Sequence, residues 1–208
     1  MNTKYQLVVK SILLILILSV FSILPSWGQS GKLFNTDNQL SSNLATQVFQ
    51  DKSGFIWIAT RNGLNNYDGY HINVIKKDMS NFLGLNSNYI NSIAQDEKEH
   101  ILLGTNNSLL EFTGSEFLKI PMLDSKGKEL ATYVKQVYPL KNKDVAVATS
   151  GYGIMLKKQD EQKCHAMKGE VEKLKYIHKL LEDKRGRLWI ITEDGKLYRK
   201  ETNGRVTS

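Results

Sequence analysis

Leu40 to Gly69 reads LSSNLATQVFQDKSGFIWIATRNGLNNYDG, and Leu85 to Gly114 repeats it without a gap as LNSNYINSIAQDEKEHILLGTNNSLLEFTG. Leu40 matches Leu85, Ser42 matches Ser87, Asn43 matches Asn88 and Asp51 matches Asp96. The correspondence continues through Ile56 with Ile101, Thr60 with Thr105, Leu64 with Leu109 and Gly69 with Gly114. Self-similarity at a period of this size marks an array of one supersecondary unit.

Inside the first copy the unit reads as four short strands. Ala45–Gln50 alternates toward Val48, and Asp51–Gly54 is a tight turn. Phe55–Thr60 is an apolar, β-branched and aromatic run, the pattern of a strand buried on both faces. Arg61–Gly63 makes a second turn, with Asn62 and Gly63 the usual pair for positive φ. Leu64–Tyr67 is a third strand, Asp68-Gly69 a third turn and Tyr70–Lys76 an alternating fourth strand.

The second copy follows the same plan with weaker turns, since Glu99 replaces Gly54 and Ser108 replaces Gly63. The third is degenerate: Tyr133–Tyr138, a turn at Lys141–Lys143, then DVAVATSGYGIML, which places Thr149 forty-four residues after Thr105. The fourth, LLEDKRGRLWIITEDGKLY, sets Asp183, Gly186, Trp189, Thr192 and Gly195 in the order begun by Asp51, Gly54, Trp57, Thr60 and Gly63. A four-stranded unit of this period predicts an all-β chain, a β-propeller of four-stranded antiparallel blades. The blades fall at about 40–76, 85–120, 131–157 and 174–208, so that three and a half to four are present. Helical repeats would need apolar residues at 3.6 spacing, and a sandwich would not repeat Asp-x-x-Gly-x-x-Trp. Residues 29–208 are thus expected to be a partial propeller, the N-terminal piece of a longer ring. Its last edge strand would be missing unless Lys32–Phe34 supplied it. Open blade faces predict aggregation or a homodimer.

The first 28 residues form a separate object. Lys4 and Lys10 precede the apolar run Ser11–Leu24, followed by Pro25 and by Ser26 and Gly28 at the −3 and −1 positions of a cut before Gln29. This is the layout of a secretory signal peptide, and the run is short of the ~20 residues a spanning helix needs. Without it the chain holds 26 basic and 21 acidic residues, a net charge of +5 spread mostly over lysines. That reads as a solvated face, and export argues against nucleic acid as a partner. Cys164 is the single cysteine, which excludes an intrachain disulfide and suits a periplasmic protein.

On these residues the chain resembles the two component regulator propeller family, whose repeat runs roughly LSSN-x-V-x-x-I-x-QD-x-x-G-x-LWIGT-x-x-GL-x-x-YDG. The first copy carries it most fully, the fourth well, the second in part and the third weakly. The resemblance implies the periplasmic sensor region of a hybrid two-component histidine kinase, of the kind that recognises oligosaccharides in Bacteroidetes-type bacteria. It further implies a parent protein anchored in the inner membrane that carries the rest of the propeller and a kinase. This chain itself is then expected to be no enzyme and to take no cofactor.

Most prominent residues read as blade construction. Asp51, Asp96 and Asp183 sit in turns, resembling the aspartate boxes of sialidase-type propellers, and Trp57 and Trp189 are expected in the core between blades. Gly54, Gly63, Gly69, Gly114, Gly186 and Gly195 serve turns, Thr60, Thr105, Thr149 and Thr192 recur at strand ends, and Tyr67 precedes the third turn. Ser42, Asn43, Ser87 and Asn88 read as hydrogen bonders at strand entry. His71, His100, His165 and His178 show no metal-ligand spacing, so no metal is expected. No phosphate loop, nucleophile elbow or Cys-x-x-Cys occurs, and Gly151-Tyr152-Gly153 is a turn. Propeller ligands meet loops at one mouth of the ring, which makes Arg61, Asn62, Asn106, Asn107 and Tyr152 the candidate contacts. The alternatives are a propeller-fold glycan-active enzyme, lyase or sialidase-like, and a non-functional gene fragment. A glycosidase would need two carboxylates ~5–10 Å apart in one cleft, which a repeated turn does not supply.

Overall fold

The computed structural model describes residues 31–77 and 84–208, together with positions 6, 9, 10 and 12–15, which are helical. The cut before Gln29 and its Pro25, Ser26 and Gly28 lie outside the described residues. No described helix is long and apolar enough to cross a membrane. Residues 1–33 and 34–208 are separate compact units, and the second is a propeller stack of four sheets, antiparallel but for one pair of strands in the third.

Blade 1 comprises β1 (Ala45–Gln50), β2 (Ile56–Thr60), β3 (Gly63–Tyr67) and β4 (Ile72–Ile75) in sequential order. Blade 2 repeats this as β5 (Ile90–Gln95), β6 (Ile101–Thr105), β7 (Leu109–Phe112) and β8 (Phe117–Ile120). The third sheet takes in β9 (Met122–Leu123), β10 (Glu129–Leu130), β11 (Val134–Pro139), β12 (Val145–Thr149), β13 (Ile154–Lys157) and β14 (Cys164–Ala166). Blade 4 is β15 (Ile177–Glu182), β16 (Leu188–Thr192), β17 (Leu197–Lys200) and the short β18 (Val206–Thr207).

Each blade buries its faces against its neighbours. Between blades 1 and 2 lie Trp57, Ala59, Leu64, Ile93, Leu103 and Leu110. Between blades 2 and 3 lie Leu102, Leu109, Val137, Val147 and Met155, and between 3 and 4 Ala146, Ile154, Leu180 and Ile190. Gly104 exists for this packing: a Cβ there would stand 2.5 Å from Val134 Cγ1.

A polar stitch accompanies the apolar one. The first strand of every blade is irregular at the same place, at Ala45/Gln47, Ile90/Ser92, Val134/Gln136 and Ile177/Lys179. The residue there reaches across to the next blade. Gln47 Oε1 accepts Ile93 N–H and its Nε2 donates to Ile93 O, Ser92 Oγ accepts Val137 N–H, and Gln136 Oε1 accepts Leu180 N–H. These bonds of 2.7–3.0 Å satisfy backbone groups on the edge strand of the neighbouring sheet.

Blade 3 departs from the expected 131–157. Its outer strand is β14, and the β9–β10 hairpin adds two further strands, β9 lying parallel to β14. The turn of that hairpin, Asp124–Gly127, reads DSKG, a permutation of the DKSG at Asp51–Gly54. Two smaller expectations change. Residues 31–35 form no strand, so the strand expected at Lys32–Phe34 does not form. In the second turn of blade 1 Gly63 alone has positive φ, at 131°, while Asn62 N–H donates to Thr60 Oγ1.

Candidate functional site

The repeated aspartates build turns. Asp51 Oδ1 accepts Phe55 N–H and its Oδ2 accepts Trp57 Nε1–H; Asp96 Oδ1 accepts Lys98 and His100 N–H. Asp183 takes Arg185 and Arg187 N–H on Oδ1, and the Arg187 and Trp189 side chains on Oδ2. Desolvation works against the Asp183 carboxylate, yet the Trp189 indole and the Arg187 backbone and guanidinium together hold it well below the usual carboxylate range. The recurring threonines close the second turns, donating from Thr60 to Gly63 O, Thr105 to Ser108 O, Thr149 to Gly153 O and Thr192 to Lys196 O.

Of the five candidate contacts, four are held by the fold. Arg61 N–H donates to Leu44 O, and its guanidinium lies 5.6 Å from the Tyr89 ring centre. Asn106 Oδ1 accepts Ser87 Oγ–H, and Asn107 Oδ1 accepts Thr105 Oγ1–H. Asn62, Asn106 and Asn107 are exposed at turn tips. Tyr152 is different. It is 45% exposed and lines a cavity of about 160 Å³ formed by the Asp124 turn, Ile154 and Met155 of β13, and the 3-10 turn Glu170–Lys173.

A second constellation has no counterpart among those candidates. The residue just before each first strand is Leu44, Tyr89, Tyr133 and Tyr176. First strands of successive blades pack side by side, β1 on β5, β5 on β11 and β11 on β15, so these residues line up in a row. Tyr89 meets Tyr133 edge-on at 6.1 Å, and Lys135 Nζ stands 4.5 Å from the Tyr133 ring centre. Lys135 in turn pairs with Glu193 at 3.5 Å, and Glu193 N–H donates to Tyr176 O. Burial, with the Tyr89 phenol beside it, pushes the Tyr133 phenol up to about 12, so it stays a donor, and it donates to Asn91 Oδ1 at 2.8 Å. Tyr176 is 59% exposed and borders a shallow groove with Asp194, Lys173 and Tyr198. The row offers aromatic faces flanked by one guanidinium, one ammonium and one carboxylate. The sequence signal was available: tyrosines forty-four and forty-three residues apart, outside the conserved-looking core of the motif.

The histidines fall apart in space except one. His100 stands with Nδ1 2.5 Å from Glu111 Oε1 and 4.0 Å from Asp96 Oδ2, a grouping that linear spacing does not display because Glu111 arrives from the paired strand.

The two component regulator propeller model matches residues 39–62, 84–107 and 173–194, the start of blades 1, 2 and 4 through their second strands. The family's repeat thus recurs in three of the four blades. The degenerate blade 3 is the one the family model passes over. The extracellular domain described as that of the hybrid two component system BT4673 from B. thetaiotaomicron is similar in fold, with TM-score 0.67 at 17% identity. The match covers 80% of this chain and 25% of that one, so the present propeller spans about a quarter of its length. Virginiamycin B lyase from Staphylococcus aureus matches with TM-score 0.62 at 12% identity over 86% of this chain and 60% of its own. PorZ of the type-IX secretion system of Porphyromonas gingivalis matches with TM-score 0.57 at 19% identity, covering 76% and 26%. No curated protein matches. At these identities the solved structures share the fold of this two component regulator propeller and carry no residue of its site with them.

Proposed function

We propose that this propeller is the ligand-binding part of an exported, periplasmic sensor of a two-component system, and that it takes an oligosaccharide along the tyrosine row. The observation that carries the reading is the alignment of Tyr89, Tyr133 and Tyr176 at one repeat position on adjoining inner strands. Aromatic faces suit the apolar side of a sugar ring, and Arg61, Lys135 and Glu193 stand where hydroxyls of successive rings need partners. A row that advances by one tyrosine per blade suits a polymer whose own units repeat. The extended N-terminal apolar run supports export, and the family supports a parent protein with further propeller, a membrane anchor and a kinase, which would receive the signal.

The test is calorimetric titration of the full chain with a panel of oligosaccharides. Saturable binding without release of reducing ends is the expected result. Tyr133→Ala and Tyr176→Ala should each weaken it about tenfold, while Tyr70→Ala, at a site 83% exposed on blade 1, should leave it unchanged. Equal affinity in all three variants would overturn the placement, and turnover of glycan would overturn the sensor reading in favour of an enzyme.

A further inference from the structure

Blade 2 differs from its neighbours in the charge it buries. His100 occupies the place of Phe55 in blade 1, Asp144 in blade 3 and Arg187 in blade 4, each accepting on its carbonyl the N–H of the first residue of the turn. Glu111 occupies the place of Asn66, Leu156 and Arg199, each paired across the sheet with Trp57, Ala146 and Trp189. Blade 4 therefore neutralises its aspartate, with Arg187 Nε 2.7 Å from Asp183 Oδ2. Blade 2 does the opposite and adds a second carboxylate.

The Asp96 and Glu111 side chains are only 6% and 3% exposed. Among the described residues, the one cationic group within 4.0 Å of either is the His100 imidazole. The cluster thus sets two buried carboxylates against a single imidazole. Uncompensated buried charge is strongly unfavourable, and a divalent cation would cancel it.

We propose that Asp96 Oδ2, His100 Nδ1 and Glu111 form a binding site for a divalent transition-metal ion of the zinc class. The three ligand atoms lie within 4.8 Å of one another. Their separations of 2.5 and 4.0 Å from His100 Nδ1 bracket the ~3.4 Å between ligands that share a tetrahedral ion at ~2.1 Å. The carboxylates are prepared for it. Asp96 Oδ1 is fixed by the Lys98 and His100 amides, which aims Oδ2 at the cluster. Glu111 uses only Oε1, toward His100, among the described residues. The imidazole nitrogen favours zinc-like ions over calcium or magnesium, which take oxygen ligands. His100, 32% exposed, is the way in, and a fourth position is left for water. The ion would tie the β5–β6 turn to β7.

The experiment is titration of the chelator-stripped full chain with Zn²⁺ and Co²⁺. One equivalent should bind, Co²⁺ should give visible d–d bands of a tetrahedral N/O site, and Zn²⁺ at a hundredfold excess over Kd should raise the melting temperature by about 5–10 °C. His100→Phe, which installs the blade 1 residue at that place, and Glu111→Gln should each weaken binding about 10–100-fold or more. His178→Phe, on blade 4, should not. Absence of bands and of a melting shift would overturn the proposal, as would undiminished binding in His100→Phe. Should Glu111→Gln fail to fold, His100→Phe alone decides, since its replacement is already accommodated in a sister blade.

Discussion

Blades 1 and 4 carry the same words, Asp-x-x-Gly-x-x-Trp, and put them to different use. In blade 1 the Trp57 indole donates to Asp51 and is buried at 5% exposure, edge-on to Phe112 of the next blade at 5.8 Å. In blade 4 the Trp189 indole donates to Asp183 in the same way, yet the ring is only half-buried, with the guanidinium groups of Arg187 and Arg199 at 5.8 and 5.4 Å from its centre. The local hydrogen bond belongs to the blade. The burial belongs to the neighbour. What a repeat position is worth thus depends on what stacks upon it, and stability in such an array is a sum of unit and interface terms.

The comparison can be broken at four points. The largest effect is expected from Trp57→Ala, which empties a buried site between blades 1 and 2 and should lower stability by about 3–5 kcal/mol in denaturant unfolding. A loss equal to that of Trp189→Ala would mean that the neighbour contributes nothing. Asp51→Ala should cost about 1–3 kcal/mol, because it strands the Trp57 Nε1–H and the Phe55 amide. Trp189→Ala should cost about 1 kcal/mol, the loss of a half-covered ring and of its cation contacts. The smallest change is a gain. Glu99 holds φ 67° where blades 1 and 4 place Gly54 at 92° and Gly186 at 76°. Glu99→Gly should relieve that conformation and stabilise by about 0.5–1 kcal/mol, read as a raised denaturant midpoint.

Acid sharpens the same contrast. A carboxylate held below its unfolded pKa adds stability that is present above about pH 4 and is lost as pH falls through the folded value. Asp183 and Asp194 are both depressed, Asp194 to about 2 through hydrogen bonds from Lys196 and Thr192. Blade 4 should therefore loosen between pH 4 and 2, seen as rising amide exchange along β15–β17, and Asp183→Asn should flatten that response. Protection that is unchanged over this range would remove the two aspartates from the account.

The architecture was legible because it is written several times over. The apolar run Phe55–Thr60 marks β2 to within a residue, and the turn residues mark the order of the strands in blade 1. Blade 3 was under-read at its edge, where the hairpin β9–β10 and the strand β14 are too short to show a period. Its one legible mark, DSKG at Asp124–Gly127, lay outside the expected phase of the repeat. The site was harder. Turn tips look like ligand contacts in sequence, but Asn106 and Asn107 spend their side chains on Ser87 and Thr105. The tyrosine row is hidden because blade 1, the fullest copy of the repeat, has Leu44 at that place. The Asp96–His100–Glu111 cluster depends on strand register, which residue spacing alone does not express.

The stitch from Gln47 to Ile93, Ser92 to Val137 and Gln136 to Leu180 always runs the same way along the chain. Each blade presents an outgoing side chain on one face and an incoming amide on the other, so any two blades meet head-to-tail. A gene segment encoding one blade can then be duplicated in tandem and its product docks on the original with no new contact to invent. It also follows that blade 4 already offers Lys179 at the outgoing place, a plug of different chemistry from glutamine or serine. The grammar of the array is fixed, while the ending of each word is free to vary.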